Sequence, residues 1–281
     1  YFNRLQDARR LLKEIPNARN IIIIGAGAVG IEAAIAFNKM GKKVVVAEML
    51  DQILPQTLDK EVAKYFEKVL SASGITFSLG KSISEITGIT QATGIVIGKK
   101  ELKADLILAT AGVKPNVEFL LSSSVKFDRG ILVNEKMQTN VPNIYAAGDV
   151  AESLDPYGKY ELVFNWYNAV DQGWVAGCNL AGVENVYKDS PCLTVLKGVE
   201  PPVVSVGRKY GDDGYDTFSY IDKHRGIYEK FFIRSNHIDC YQVIGIQDKV
   251  ALMYGYIKGR KVISNVNDLL SKDWNLAYLN S

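Results

Sequence analysis

Two hydrophobic rhythms stand side by side near the start of the chain. Ile21 to Ile24 are consecutive β-branched apolar residues, the pattern of a short strand buried on both faces in a parallel sheet. The run ends at Gly25, and Ile31 to Met40 then reads as an alanine-rich helix closed by Gly41. Lys43 to Glu48 repeats the strand pattern. A helix follows from about Thr57 or Asp59 to Ser73, with Val62, Phe66, Val69 and Leu70 on one face and Gly74 at its end. Ile75 to Leu79 reads as a third strand, Ile83 to Ile97 as β-type runs before a hairpin turn at Gly98 to Lys100, and Asp105 to Gly112 as a buried strand ending in glycine. Ahead of all this, Tyr1 to Asn17 reads as an amphipathic helix with Leu5, Ala8, Leu11 and Leu12 on one face. The pattern predicts a lead-in helix in 1–16 and an α/β unit over 17–112, of βαβ type with a small antiparallel insertion.

From Val113 the rhythm changes to short β runs and turns. Gly130 to Val133 is one such run, and another is predicted to end in Ala147-Gly148-Asp149, which would place a carboxylate at the carboxyl edge of a sheet. Trp166 to Ala181 reads as a helix, with Ala169, Gly173, Ala176 and Leu180 allowing close packing. Beyond about Ser190 the chain is tyrosine-rich. Val203 to Val206, Gly226 to Ile233, Asp239 to Ile246 and Val250 to Ile257 read as an antiparallel sheet, followed by a helix over Asn265 to Leu270.

The segment joining the first strand to its helix carries chemistry. Gly25, Gly27 and Gly30 form Gly-x-Gly-x-x-Gly between a strand and a helix, the context in which this pattern binds a dinucleotide. Gly25 makes the tight turn, Gly27 admits a pyrophosphate to the backbone, and Gly30 lets helix and strand pack closely. The free N–H groups of the helix start face the phosphates, and Ala28 and Val29, between the glycines, count among the cofactor-binding residues. Glu48 ends the second strand, where an acid accepts hydrogen bonds from the adenosine ribose and repels a 2′-phosphate. Met49 and Leu50 follow, without an arginine to receive such a phosphate, so NAD(H) is favoured over NADP(H). The bland alternative is a tight strand-to-helix turn with no ligand.

Composition changes little in this picture. The 281 residues give room for about two domains. A hydrophobic content of 47%, a charged content of 23% and a net charge of +2 without a long basic run point to neither nucleic acid nor a membrane surface. No apolar run is long enough for a spanning helix and no signal peptide is visible, so a cytoplasmic protein is expected. Cys178, Cys192 and Cys240 are widely spaced, suiting free thiols better than a disulfide framework, and His224 and His237 give no metal pattern. A chain that opens at Tyr1 reads as a piece of something longer.

Three motifs in order carry a resemblance: Gly25 to Ala34 (Gly-Ala-Gly-Ala-Val-Gly-Ile-Glu-Ala-Ala), Ala109 to Asn116 (Ala-Thr-Ala-Gly-Val-Lys-Pro-Asn), and Thr139 to Glu152 with Ala147-Gly148-Asp149 inside it. The set resembles the pyridine nucleotide-disulfide oxidoreductase family of flavoproteins. Leu196 to Gly207, Tyr228 to Phe232 and Val243 to Ile246 are similar to the C-terminal domain of its NADH:rubredoxin reductases and of nitrite reductase flavin domains. The resemblance implies a Rossmann-like NAD(P)-binding domain over 17–112 including Gly112, the C-terminal part of an FAD-binding domain over 113–187, and a C-terminal α+β domain over 188–281. It implies that Glu32 approaches the nicotinamide, that Gly148 and Asp149 meet the ribityl and phosphate portion of FAD, and that the helix opening at Trp166 points its positive end at the flavin. The bland alternatives are a first-turn acid for Glu32, a turn aspartate for Asp149 and core packing for Trp166. The family's N-terminal FAD-binding segment is missing from this sequence. The implied activity is hydride transfer from NADH to FAD and on to an acceptor such as rubredoxin, nitrite or oxygen, with the chain a monomer or homodimer. NADH oxidase or coenzyme A-disulfide reductase is the rival enzyme, and a non-catalytic nucleotide-binding module the rival of another class.

Overall fold

The computed structural model describes residues 2–211 and 214–263. Two compact units divide the chain: one holds the residues up to 112 together with 196–203, the other 113–195 and 204 onward.

In the first unit, α1 (Leu5–Glu14) precedes β1 (Asn20–Ile24), α2 (Ala28–Lys39), β2 (Lys43–Ala47), α3 (Lys60–Ala72) and β3 (Thr76–Ser78). The hairpin strands β4 (Ile83–Thr87), β5 (Gly94–Ile97) and β6 (Lys100–Lys103) then lead to β7 (Leu106–Ala109). The main sheet is parallel, in the order β3-β2-β1-β7, with β1 central. Ile21, Ile22 and Ile23 are at most 1% exposed, so both faces of β1 are covered, as the unbroken apolar run requires. The antiparallel insertion stands on this sheet: Ile95 and Ile97 of β5 pack with Ile22 and Ala47. Asp59 caps α3 by accepting from the Glu61 N–H at 3.1 Å, and Val62, Ala63, Phe66 and Leu70 form its buried face.

Two sequence expectations need correction here. The helix after the glycines begins at Ala28, three residues before the expected Ile31, because Gly27 itself serves as N-cap in extended conformation. The apolar stripe of α1 buries nothing: Leu5 and Leu12 are 68% and 70% exposed.

The second unit opens with β8 (Ile131–Leu132), parallel to β9 (Ala151–Leu154), which pairs antiparallel with β10 (Tyr160–Leu162). The strand expected to end at Asp149 does not form. Tyr145 makes an isolated bridge to Gln138, and Gly148–Val150 is a 3₁₀ turn. An extended segment becomes a strand only beside another that satisfies its N–H and C=O groups, and among the described residues this one has a single bridge. In α4 (Trp166–Leu180) the buried face is Asn168, Gln172, Val175 and Ala176. Gly173 and Leu180, expected to pack, are exposed.

The remaining sheet joins β11 (Leu193–Leu196), β12 (Val203–Gly207), β13 (Asp216–Asp222), β14 (Ile227–Arg234) and β15 (His237–Ile244) in the order β11-β12-β15-β14-β13. Here β14 runs antiparallel to both neighbours. Residues 250–257, expected as a strand, are helical in α5 (Val250–Lys258). Met253 and Ile257, four apart, share one helix face and pack with Val204, Val206, Phe231 and Tyr241, a 3.6-residue period that the intervening apolar residues disguise as alternation. The helix expected over 265–270 lies outside the described residues.

A buried charge cluster ties the start of this sheet together. Arg208 reaches Asp189 at 3.1 Å and Glu161 at 3.8 Å, and the Tyr210 hydroxyl donates to Asp189. Burial pushes the carboxyls of both Asp189 and Glu161 above their usual range, with Arg208 opposing the shift. A carboxyl whose folded pKa lies above its unfolded value stabilises fully below the unfolded value, and loses that contribution as pH rises through the folded one. Arg208→Met removes the opposing cation, so urea unfolding is expected to show a loss of about 3–5 kcal/mol at pH 7.5, with a smaller loss at pH 5 where the carboxyls take up protons. An equal loss at both values would refute this account.

Candidate dinucleotide and flavin sites

The tip of β1 is shaped by neighbours on both sides. Gly25 has φ +102° and donates its N–H to the Ala47 carbonyl at 2.8 Å. Across the turn, Thr110 donates its N–H to the Ile24 carbonyl at 2.8 Å, and its hydroxyl lies 3.0 and 3.2 Å from the carbonyls of Ile24 and Gly25. A Cβ at Gly25 would stand 2.6 Å from the Thr110 carbonyl oxygen, and one at Gly30 would stand 2.0 Å from the Gly25 oxygen. Neither position admits a side chain. Gly27 differs, since an added Cβ there meets nothing within 4 Å. It caps α2 without any side-chain hydrogen bond, so the first N–H groups of the helix have no side-chain acceptor at the cap. The loop thus leaves an open cradle over a helix N-terminus, the arrangement that receives phosphate oxygens.

Glu48 follows β2 and is half-buried. One carboxylate oxygen accepts from the Ala26 N–H at 2.8 Å and the other from the Leu50 N–H at 2.9 Å. The acid therefore braces the glycine loop, and each oxygen keeps a second lone pair. Ala28 is half-buried, Val29 is 48% exposed, and Gly112, with φ +91°, lies in open space beyond β7. Glu32 stands one turn into α2, where Oε1 accepts from the Lys197 N–H at 2.9 Å.

In the second unit Gly148, with φ +80°, donates its N–H to Gln172 Oε1 at 2.8 Å, and an added Cβ would lie 3.4 Å from that of Ala169. These bonds hold the 3₁₀ turn against the first turns of α4. Asp149 is exposed on that turn, and Trp166, the first residue of α4, is 71% exposed and does not serve as core packing. The Asn165 side chain accepts from the Tyr167 N–H at 3.1 Å and so takes up part of this helix start. The predicted residues thus fall into two groups: Gly25, Gly27, Ala28, Val29, Gly30, Glu32, Glu48 and Gly112 in the first unit, and Gly148, Asp149 and Trp166 in the second.

Sequence reasoning missed Thr110 and Lys197. Thr110 lies inside the quoted Ala109 to Asn116 motif, so its hydroxyl could have been singled out. Lys197 acts through its backbone N–H and leaves no side-chain signal. Burial pushes the thiols of Cys192 and Cys240 up to about 11 and about 12, which keeps both protonated and poorly nucleophilic near neutral pH. Among the described residues no group of three or more His, Cys, Asp or Glu is placed to hold a metal, and no helix is long and apolar enough to cross a membrane.

The glycines make unequal demands. Gly30→Ala forces backbone atoms apart and is expected to lower unfolding free energy by at least about 2 kcal/mol, whereas Gly27→Ala is expected to stay within about 1 kcal/mol of the original. Thermal melts followed by circular dichroism check both, and equal losses would refute the assigned roles.

Comparison with known proteins bears on the whole chain. The profile of the family described as "Pyridine nucleotide-disulphide oxidoreductase" matches residues 1–173. The assimilatory nitrate reductase electron transfer subunit of Bacillus subtilis is 33% identical over 264 residues, covering 93% of this chain and 34% of that protein. The NADH-rubredoxin oxidoreductase of Clostridium acetobutylicum is 28% identical over 263 residues, covering 94% of this chain and 64% of that one. The crystal structure of a ferredoxin reductase from Rhodopseudomonas palustris superposes with a TM-score of 0.89 at 22% identity, over 99% of this chain and 69% of that one, which shows a shared fold. The chain spans from a third to about two thirds of the length of these relatives. With a family profile matched over more than half its residues, the chain belongs to the pyridine nucleotide-disulphide oxidoreductase family.

Proposed function

We propose that this chain is the NAD(H)-binding portion of an NADH-dependent FAD oxidoreductase, together with one wall of its flavin site. The observation that carries the reading is the open cradle at Gly27, set over a helix start without a side-chain cap and braced by Glu48. The pyrophosphate of NADH lies against Gly27, Ala28 and Val29, the adenosine ribose against Glu48, and the nicotinamide half runs past Glu32 toward Gly112. On this reading 17–112 are assigned to the NAD(H) domain, 113–187 to the C-terminal part of the FAD domain and 188–281 to the C-terminal α+β domain, although 196–203 group with the first unit.

For FAD the second unit offers one wall: an exposed Asp149 on a turn held by Gln172 of α4, the helix whose first residue is the exposed Trp166. Asp149 would accept from ribityl hydroxyls of bound FAD, and the start of α4 would present its positive end to the flavin. Bound FAD supplies the redox chemistry, taking hydride from NADH and releasing electrons to an acceptor, while the protein supplies position and electrostatics. A small redox protein such as rubredoxin is one acceptor class put forward, and one relative is named an NADH-rubredoxin oxidoreductase. Nitrite and oxygen remain alternative acceptors, an NADH oxidase or coenzyme A-disulfide reductase is the rival enzyme, and a non-catalytic nucleotide-binding module is an outcome of the test.

Absorbance spectra of the purified chain with and without added FAD, followed by anaerobic NADH, test this reading alongside a fluorescence titration with NADH. NADH is expected to bind and NADPH to bind at least about tenfold more weakly, because Glu48 repels the 2′-phosphate. Gly27→Val is expected to abolish binding while leaving the fold intact. Binding of FAD near 1:1 with bleaching by NADH would place the complete reaction in this chain. A colourless protein that binds NADH would confine its role to the nucleotide half, and a chain that binds neither nucleotide would overturn the proposal.

A further inference from the structure

The face of α2 that carries Glu32 also carries Lys39, seven residues and about two turns further along. Both side chains end on one short stretch of backbone. The Lys197 N–H donates to Glu32 Oε1 at 2.9 Å, and Lys39 Nζ donates to the Gly198 carbonyl at 2.6 Å. The carboxylate takes an N–H and the ammonium takes a carbonyl, so two successive residues are gripped by groups of opposite charge. The gripped stretch belongs to 196–203, which groups with the first unit although it lies far along the chain. Leu196 and Val199, on either side, are 3% and 8% exposed, and Gly198 adopts φ +73°. The stretch is therefore anchored on both sides of its contacts with α2.

A glutamate on a helix surface samples many rotamers, and fixing it costs conformational entropy. A backbone N–H held in place by buried neighbours selects one of them before any ligand arrives. Glu32 is four residues from Ala28, so the selected carboxylate lies on the same helix side as the open start of α2.

We infer that residues 196–203 are a positioning element for Glu32, holding its carboxylate ready beside the nicotinamide half of a bound dinucleotide. The inference rests on the NAD(H) reading proposed above. Lys197 supplies the donor, and Lys39 sets the register of the stretch through Gly198. Lys39 itself stands about 10 Å along the helix from Glu32 and acts only through this backbone.

The test compares NADH with ADP-ribose, which lacks the nicotinamide, by titration calorimetry on the full chain. Lys39→Met is expected to weaken NADH about threefold to tenfold, as for the loss of one charge-assisted hydrogen bond. ADP-ribose affinity is expected to stay within about twofold, and Lys39→Arg to restore NADH binding. In a Glu32→Ala background, Lys39→Met is expected to have no further effect. Lys197→Pro, which removes the donor itself, is expected to match Glu32→Ala once circular dichroism shows that it folds. Equal weakening of both ligands, or an undiminished effect of Lys39→Met without Glu32, would show a purely structural tie and overturn the inference alone. An original chain that binds neither ligand would overturn the NAD(H) reading as well.

Discussion

The approach of Gly30 to the Gly25 carbonyl governs the first unit. With a hypothetical Cβ only 2.0 Å from that oxygen and 2.8 Å from the Thr110 hydroxyl, helix α2 can cross the end of β1 only because no side chain stands between them. The tips of three strands then meet at one place. Thr110 follows β7 and bonds the end of β1, while Glu48 follows β2 and holds Ala26. The glycine loop is therefore determined from both flanks by the protein's own bonds, and its shape exists before any nucleotide binds.

The first unit was legible in the sequence because its requirements are local. An unbroken β-branched run, a glycine at positive φ and an N-cap aspartate each act within a few residues, and β1, β2, α3, β7 and the hairpin fall where those signals lie. What escaped depends on distant partners. The Lys197–Glu32 bond joins residues 165 positions apart through a backbone group. The segment before Asp149 has strand composition but only one bridging partner among the described residues. Residues 250–257 carry apolar side chains at both strand and helix spacing, and the pocket offered by Val204, Phe231 and Tyr241 decides for the helix.

The family assignment and the site geometry bear on different questions. The matched profile fixes ancestry for the chain, while the cradle at Gly27 and the brace at Glu48 say what the first unit can hold. In the second unit, the turn that carries Asp149 is tied to α4, the helix that opens at Trp166, by the bond from the Gly148 N–H to Gln172. The relatives are longer than this chain, which accords with a site of which these residues supply only a part.

The polar bonds of α4 have a mechanical meaning. Helices usually settle by their oily stripe, which tolerates a few degrees of roll, but α4 turns Asn168 and Gln172 inward. Gln172 bridges the Gly148 N–H and the Ser153 hydroxyl, and Asn168 bonds the Val163 carbonyl and receives the Tyr187 hydroxyl. Directional bonds act as keys in a lock, so rolling the helix to hide Trp166 and Trp174, each at least 70% exposed, would strand several buried polar groups at once. The tryptophans are thus kept facing outward by the polar side of their own helix, and their exposure is set by the bonds beneath them rather than by any partner above.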